Sequence, residues 1–196
     1  SSQNIKAKAV RIRNLELNLK SNTAGYWWKV NTFKMADPGQ MNATFMYTDT
    51  WGIYQGTVDN LTDGDSSTAL DFRTSGDRTR KGDYIGWDLG KETAIGKVYA
   101  VIGGNRSAGD KWKKYSLQYS NDNQNWTTYK TYQGVANGKD TIDENFYGLK
   151  ARYVRLVNEE ERAVWVIFSE FSVKAYNPDE DFNNANVYTN TDYRLA

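Results

Sequence analysis

The feature that most narrows what this chain can fold into is a succession of short apolar–aromatic runs, each closed by turn residues. The clearest are YIGWDLG (84–90), IGKVYAVIG (95–103), YSLQYS (115–120), NWTTYKTYQ (125–133), ARYVRLVN (151–158) and VWVIFSEFSV (164–173). In the fifth run Tyr153, Arg155 and Val157 face one way, and Val154 and Leu156 the other, the two-residue period of a strand. Asn121-Asp122-Asn123 forms a hairpin turn cluster between two runs. No segment carries a capped apolar stripe of helical period. Only a helical turn near 58–62 is expected, stopped by Asp63-Gly64. The pattern predicts an all-β chain, a sandwich or a barrel.

Three blocks then recur in the same order. AKAVRIRN (7–14) matches ARYVRLVN (151–158), YWWKVNTFKM (26–35) matches VWVIFSEFSV (164–173), and NATFMYTDT (42–50) matches NANVYTNT (184–191). The offset is about 140 residues, an ordinary domain length. The simplest arrangement is a tandem array. Residues 1–39 are then tail-like strands of a preceding repeat, or strands added onto the module. Residues 40–174 are one complete module, and 175–196 are a linker and the start of the next repeat. The alternative is one domain whose first strands resemble its last.

Composition removes several classes of function. The chain has no Cys and no His, so disulfides, thiolate or imidazole zinc sites and imidazole-dependent catalysis are excluded. Lys plus Arg is 25 and Asp plus Glu is 24, without the basic excess of a nucleic-acid binder. No apolar run is long enough for a membrane-spanning helix. No signal segment opens the chain, so any export signal is expected outside this sequence.

Five stretches in order, VDNLTDGDSST (58–68), GDYIGWDLGKETAIGKV (82–98), KWKKYSLQYSNDNQNWTTY (111–129), ARYVRLV (151–157) and VWVIFSEFSV (164–173), resemble the coagulation factor 5/8 type C, or discoidin, superfamily. They are most similar to its bacterial branch, the family 32 carbohydrate-binding modules. The resemblance implies an eight-stranded antiparallel jelly-roll β-sandwich, the galactose-binding-domain-like fold. Animal members usually tie their ends with a disulfide, so the absence of Cys favours the bacterial branch. It also implies secretion or display at a bacterial cell surface, beside a glycoside hydrolase and adjacent modules of the same polypeptide.

The loop Asn60–Thr68 packs two carboxylates, hydroxyls and a glycine into a short span. Ca²⁺ takes six to eight oxygen ligands, backbone carbonyls among them. The resemblance implies a structural calcium ion held by Asp63, Asp65, Thr68 and the late-strand Glu170. Glu170 interrupts an apolar strand and needs a partner. An ordinary Asp-Gly turn with a surface Glu is the alternative.

Sugar recognition needs an aromatic platform and a few polar groups that reach hydroxyls. Four loops can supply them: 48–56 with Trp51 and Tyr54, 71–83 with Arg73, 103–112 with Asn105, Arg106 and Asp110, and 158–165 with Glu159 and Arg162. Trp51 is the expected platform, because no strand alternation buries it. Arg73 and Asn105 are the expected hydrogen-bond donors. Trp87, Trp126 and Trp165 lie in strand patterns and are expected in the core, and Trp112 fits either role. Galactose-binding members often carry a histidine near Arg73, an aromatic where this chain has Gly76, and another where it has Ala163 and Val164. The departure favours another sugar, such as terminal N-acetylglucosamine.

The reading is a non-catalytic carbohydrate-binding module for terminal N-acetylglucosamine or galactose-type sugars. A discoidin-type adhesion or anionic-lipid-binding domain is the alternative, with Trp51 as an apolar spike and Arg78, Arg80 and Lys81 meeting head groups. Nothing in the sequence places two carboxylates across a cleft, as glycoside cleavage needs.

Overall fold

The computed structural model describes residues 43–107 and 109–177. The repeated blocks at 7–14, 26–35 and 184–191 therefore lie outside the described residues.

The described chain holds eight strands: β1 (Thr44–Tyr47), β2 (Gly52–Gln55), β3 (Leu70–Arg73), β4 (Tyr84–Ile102), β5 (Lys114–Ser120), β6 (Thr127–Gln133), β7 (Asp140–Asn158) and β8 (Val166–Ala175). Every pairing is antiparallel. The expected all-β sandwich is what forms. A 3₁₀ turn at Val58–Leu61 stands where the helical turn was expected.

Two long strands make the sandwich. β4 and β7 pair along most of their length, but the register breaks between Asp88 and Thr93, where both strands turn a corner. Their halves on one side, 84–88 and 153–157, join β1, β5 and β6. Their halves on the other, 95–102 and 140–149, join β8, β3 and β2. Strands that switch sheets at such corners let two layers close on one core. The sequence runs 84–90 and 95–103 are thus two halves of a single strand.

Inward residues of both layers meet in an aromatic core. Phe45 packs on Phe72 and Trp87, and the Trp87 indole N–H donates to the Phe171 carbonyl of the opposite layer at 3.0 Å. Trp112 is wholly buried between Trp51, Tyr115 and Phe168. Trp126 differs from the expectation. It is half-buried, with the Arg155 guanidinium 3.8 Å from its ring centroid. Arg155 shares the parity of Tyr153, and the Trp126 ring packs on Tyr153 as well, at 6.4 Å.

A buried ion pair braces the end where the loops gather. Lys111 Nζ donates to Asp140 Oδ1 at 2.8 Å and to the Gly138 carbonyl at 2.7 Å, and both side chains are 4% exposed. The same Asp140 oxygen accepts the Val135 amide at 2.8 Å. Charges this deep persist when they are paired and hydrogen-bonded.

Candidate functional site: an aromatic pair between arginines

β2 and β3 pair Gly52 with Arg73 and Ile53 with Phe72, and then slip, so that Gln55 meets Asp71. Tyr54 is the extra residue of that bulge. A bulge breaks the inward–outward alternation and re-aims a side chain, and Tyr54 is 55% exposed. β3 pairs in turn with β8, Phe72 opposite Val166. One residue beyond this pair lie Arg73 and Trp165.

These strand ends place four side chains together. The rings of Tyr54 and Trp165 meet edge to face at 5.0 Å. The Arg73 guanidinium lies 5.9 Å from the Trp165 ring centroid, and that of Arg106 lies 5.2 Å from the Tyr54 ring. Such contacts hold a guanidinium beside a ring without neutralising it. Arg106 is fixed further by an ion pair with Asp71, whose side chain is buried. Asp77 receives the Trp165 indole N–H at 2.6 Å. Thr74 Oγ1 donates to the Val164 carbonyl at 3.1 Å, and Thr79 and Arg162 exchange backbone bonds of 2.8 and 2.9 Å. The turn 74–79 and the segment before β8 are thereby one unit. The rim carries exposed Ile53 and the Arg78–Glu161 ion pair.

The sequence-based expectations divide here. Tyr54, Arg73 and Arg106 come together. Trp51 does not serve as the platform: it is 5% exposed and packs on Phe72 at 5.3 Å. The stretch around it is not a bare loop, because β2 begins at the next residue and folds Trp51 onto the sandwich end. Trp165, expected in the core, is half-buried beside Tyr54. It stands just before β8, where residues of both parities, Val166 and Phe168 as well as Ile167 and Ser169, are buried. It also stands one residue past Val164, next to where the resemblance leads one to look for an aromatic. Asn105 turns away from the cluster and donates to the Ser67 carbonyl at 3.4 Å. Arg162 Nη1 donates to the Lys111 and Gly109 carbonyls at 2.8 and 3.4 Å, bracing two loops. Asp110 contributes its carbonyl to the Ile167 amide at 2.9 Å, and the Glu159 amide reaches the Lys114 carbonyl at 2.9 Å. No contact brings Asp110 or Glu159 to the aromatic pair among the described residues. Asp71 and Asp77 belong to the site and carry no local sequence signal beyond their neighbour Arg73.

The acidic loop lies beside this site. Asp63 accepts the Asp65 amide and the Thr68 hydroxyl, both at 2.8 Å, and Asp65 accepts the Ser67 amide at 2.9 Å. These bonds to Ser67 hold the Asp65 carboxyl below its ordinary range. Glu170 is 3% exposed, and its Oε1 has no hydrogen-bond partner. Burial, then the nearby charges of Asp63 and Asp65, pushes its carboxyl up to about 7, against the pull of the Gly64 amide. Among the described residues no three acidic side chains lie close enough to ligate one ion as they stand. Yet the donor set is all oxygen, and an orphaned buried carboxylate facing two others is what a hard cation would relieve.

Comparison with known proteins bears on the fold. No curated protein matches the chain closely in sequence. Among solved structures, module CBM32-1 of a family 31 glycoside hydrolase from Clostridium perfringens is 20% identical, with TM-score 0.51, covering 72% of this chain and 100% of that one. The family 32 carbohydrate-binding module of Clostridium perfringens NanJ, solved with galactose, is 15% identical, with TM-score 0.50 and coverage of 67% and 93%. A mutant lectin-binding domain of lectinolysin, solved with Lewis b, is 16% identical, with TM-score 0.52 and coverage of 73% and 99%. At these identities the likeness is one of fold. The F5/8 type C domain model matches residues 40–171, which takes in every strand from β1 to β7 and β8 as far as Phe171. With eight antiparallel strands bent about one corner, and two thirds of its length inside that match, the chain belongs to the F5/8 type C domain family.

Proposed function

We propose that the chain is a non-catalytic carbohydrate-binding module that takes a terminal sugar at the Tyr54–Trp165 pair. The observation that carries this reading is the exposed Tyr54 ring set against the half-buried Trp165 and flanked by Arg73 and Arg106. Pyranose C–H faces pack on aromatic rings, and guanidinium forks donate to adjacent hydroxyls. The site is a strand-end surface with few contacts to offer, so one module binds weakly and an array gains by avidity. Galactose-type and N-acetylglucosamine-type sugars are the ligand classes in view. The attached partner is a secreted or cell-surface bacterial glycoside hydrolase, with adjacent modules on the same polypeptide, and the module holds it near its substrate. Calcium is the proposed cation at Asp63, Asp65, Thr68 and Glu170, where it would supply positive charge to three carboxylates and no chemistry.

The lipid-binding alternative needs Trp51 as a spike and Arg78, Arg80 and Lys81 as cations that meet head groups. Trp51 is buried and Arg78 is paired with Glu161, so the sugar reading is the better supported. A glycan array on the whole chain tests it. Retention on glycans ending in galactose-type or N-acetylglucosamine-type sugars is expected. Retention on none of them, with binding to vesicles of phosphatidylserine, would reverse the choice.

A further inference from the structure

The acidic loop is also the connection between the two strands that build the aromatic site. β2 ends at Gln55 just after Tyr54, and β3 begins at Leu70 just before Asp71 and Arg73. The ends of this connection are pinched together. Gly56 has φ +87°, and a Cβ there would lie 2.1 Å from the Ala69 carbonyl oxygen. Three contacts reach the connection from outside. Glu170 of β8 faces it with its partnerless oxygen, and Trp165 directly precedes that strand. Asn105 Nδ2 donates to the Ser67 carbonyl, and the next residue, Arg106, lies over Tyr54. Lys139 Nζ donates to the Ser66 carbonyl.

We propose that a divalent cation held by Asp63, Asp65 and Glu170 orders the Tyr54–Trp165–Arg106 cluster, acting through the connection 56–69 and the Asn105–Ser67 hydrogen bond. The inference rests on the cation reading above and extends it to regulation of the proposed sugar site. Without the ion, the partnerless Glu170 oxygen faces Asp63 and Asp65, and beyond the Asn105 and Lys139 contacts the exposed loop is held by its own short-range bonds. Segments of that kind open locally at low cost. With the ion, the loop is clamped to β8. Because its ends are pinched, the clamp fixes the ends of β2 and β3, and Asn105 carries the constraint to Arg106. By linkage, a ligand of the cluster then strengthens cation binding by the factor by which the cation strengthens the ligand.

Hydrogen–deuterium exchange of the full chain, with calcium chloride or with chelator, tests the coupling without needing a sugar. Calcium is expected to slow exchange about fivefold or more at 63–68, 52–56 and 103–107. Asp65→Asn, an exposed change that spares the core, is expected to abolish all three effects. Asn105→Ala is expected to keep the slowing at 63–68 and lose it at 103–107. Slowing confined to 63–68 in the unaltered chain overturns the coupling and leaves the cation reading standing. No calcium effect anywhere overturns both. Retention on immobilised galactose and N-acetylglucosamine is read in parallel. Slowing at 103–107 without retention on either sugar supports the coupling and counts against the sugar reading alone.

Discussion

Trp165 donates its indole N–H to Asp77 at 2.6 Å, and Asp77 itself holds a left-handed backbone with φ 53°. A non-glycine residue in that region costs free energy, which the surrounding contacts must offset. The bond restrains the χ1 and χ2 rotations that would let the indole swing away from Tyr54. Asp77→Ala is therefore expected to weaken glycan retention about tenfold, roughly 1.4 kcal/mol. Asp77→Asn keeps an acceptor and tolerates the same backbone, so it is expected to retain most of the binding. Titration calorimetry with a glycan that the unaltered chain binds separates the two. Equal loss in both would show that the carboxylate charge, not the indole contact, matters.

Trp51 makes the opposite prediction. It fills the sandwich end against Phe72 and Trp112, at 5.3 and 6.2 Å between ring centroids. Trp51→Ala is expected to cost about 3–5 kcal/mol of stability, read by denaturant unfolding. A change within 1 kcal/mol would show that the ring is not part of the core.

These two tryptophans mark what the sequence could and could not convey. The strands from Tyr84 onward were legible because they are long, alternate, and are rich in Val, Ile and aromatics. β2 and β3 were not, because each has four residues and β2 is exposed along its whole length. Without β2 there was no parity from which to judge Trp51, and its burial comes from tertiary packing. Trp165 was read as core because it runs without interruption into a buried strand. Parity gives no outward signal, because Ile167 and Ser169, in step with Trp165, are as buried as Val166 and Phe168; its place beside Tyr54 comes from the pairing of β2, β3 and β8. Arg73, Tyr54 and Arg106 were legible as polar or aromatic residues in loops. The Asp71 partner of Arg106 was not, because 35 residues separate them and only strand pairing brings them together.

The ion pair of Lys111 and Asp140 joins the loop of Arg106 to the start of β7. Removing one partner leaves a buried charge alone. Lys111→Met is expected to destabilise by about 3–5 kcal/mol, and Lys111→Met with Asp140→Asn by clearly less. Thermal unfolding of the single and double variants gives the comparison. A double variant as unstable as the single one would contradict this account of the pair.

At the opposite end, Arg152 holds Asp88 with two bonds, 2.8 and 2.9 Å. The guanidinium keeps the Asp88 carboxyl below its ordinary value. A folded-state value below the unfolded one means stability that is present above the unfolded value near 3.8 and is lost as pH falls through the folded one. The pair is partly exposed, so its contribution is small. Unfolding measured down the acid range should show a smaller acid loss in Asp88→Asn than in the unaltered chain. Superimposable slopes would remove this pair from the acid response.

Tyr54 and Trp165 together form the proposed sugar platform. Its most direct measurement is retention on a glycan array of the unaltered chain beside the double variant Tyr54→Ala, Trp165→Ala, with melting temperature checked for both. The variant is expected to stay folded and to lose retention by about thirtyfold or more, the scale of a central aromatic anchor. A folded variant that binds the same glycans as tightly as the unaltered chain would contradict it.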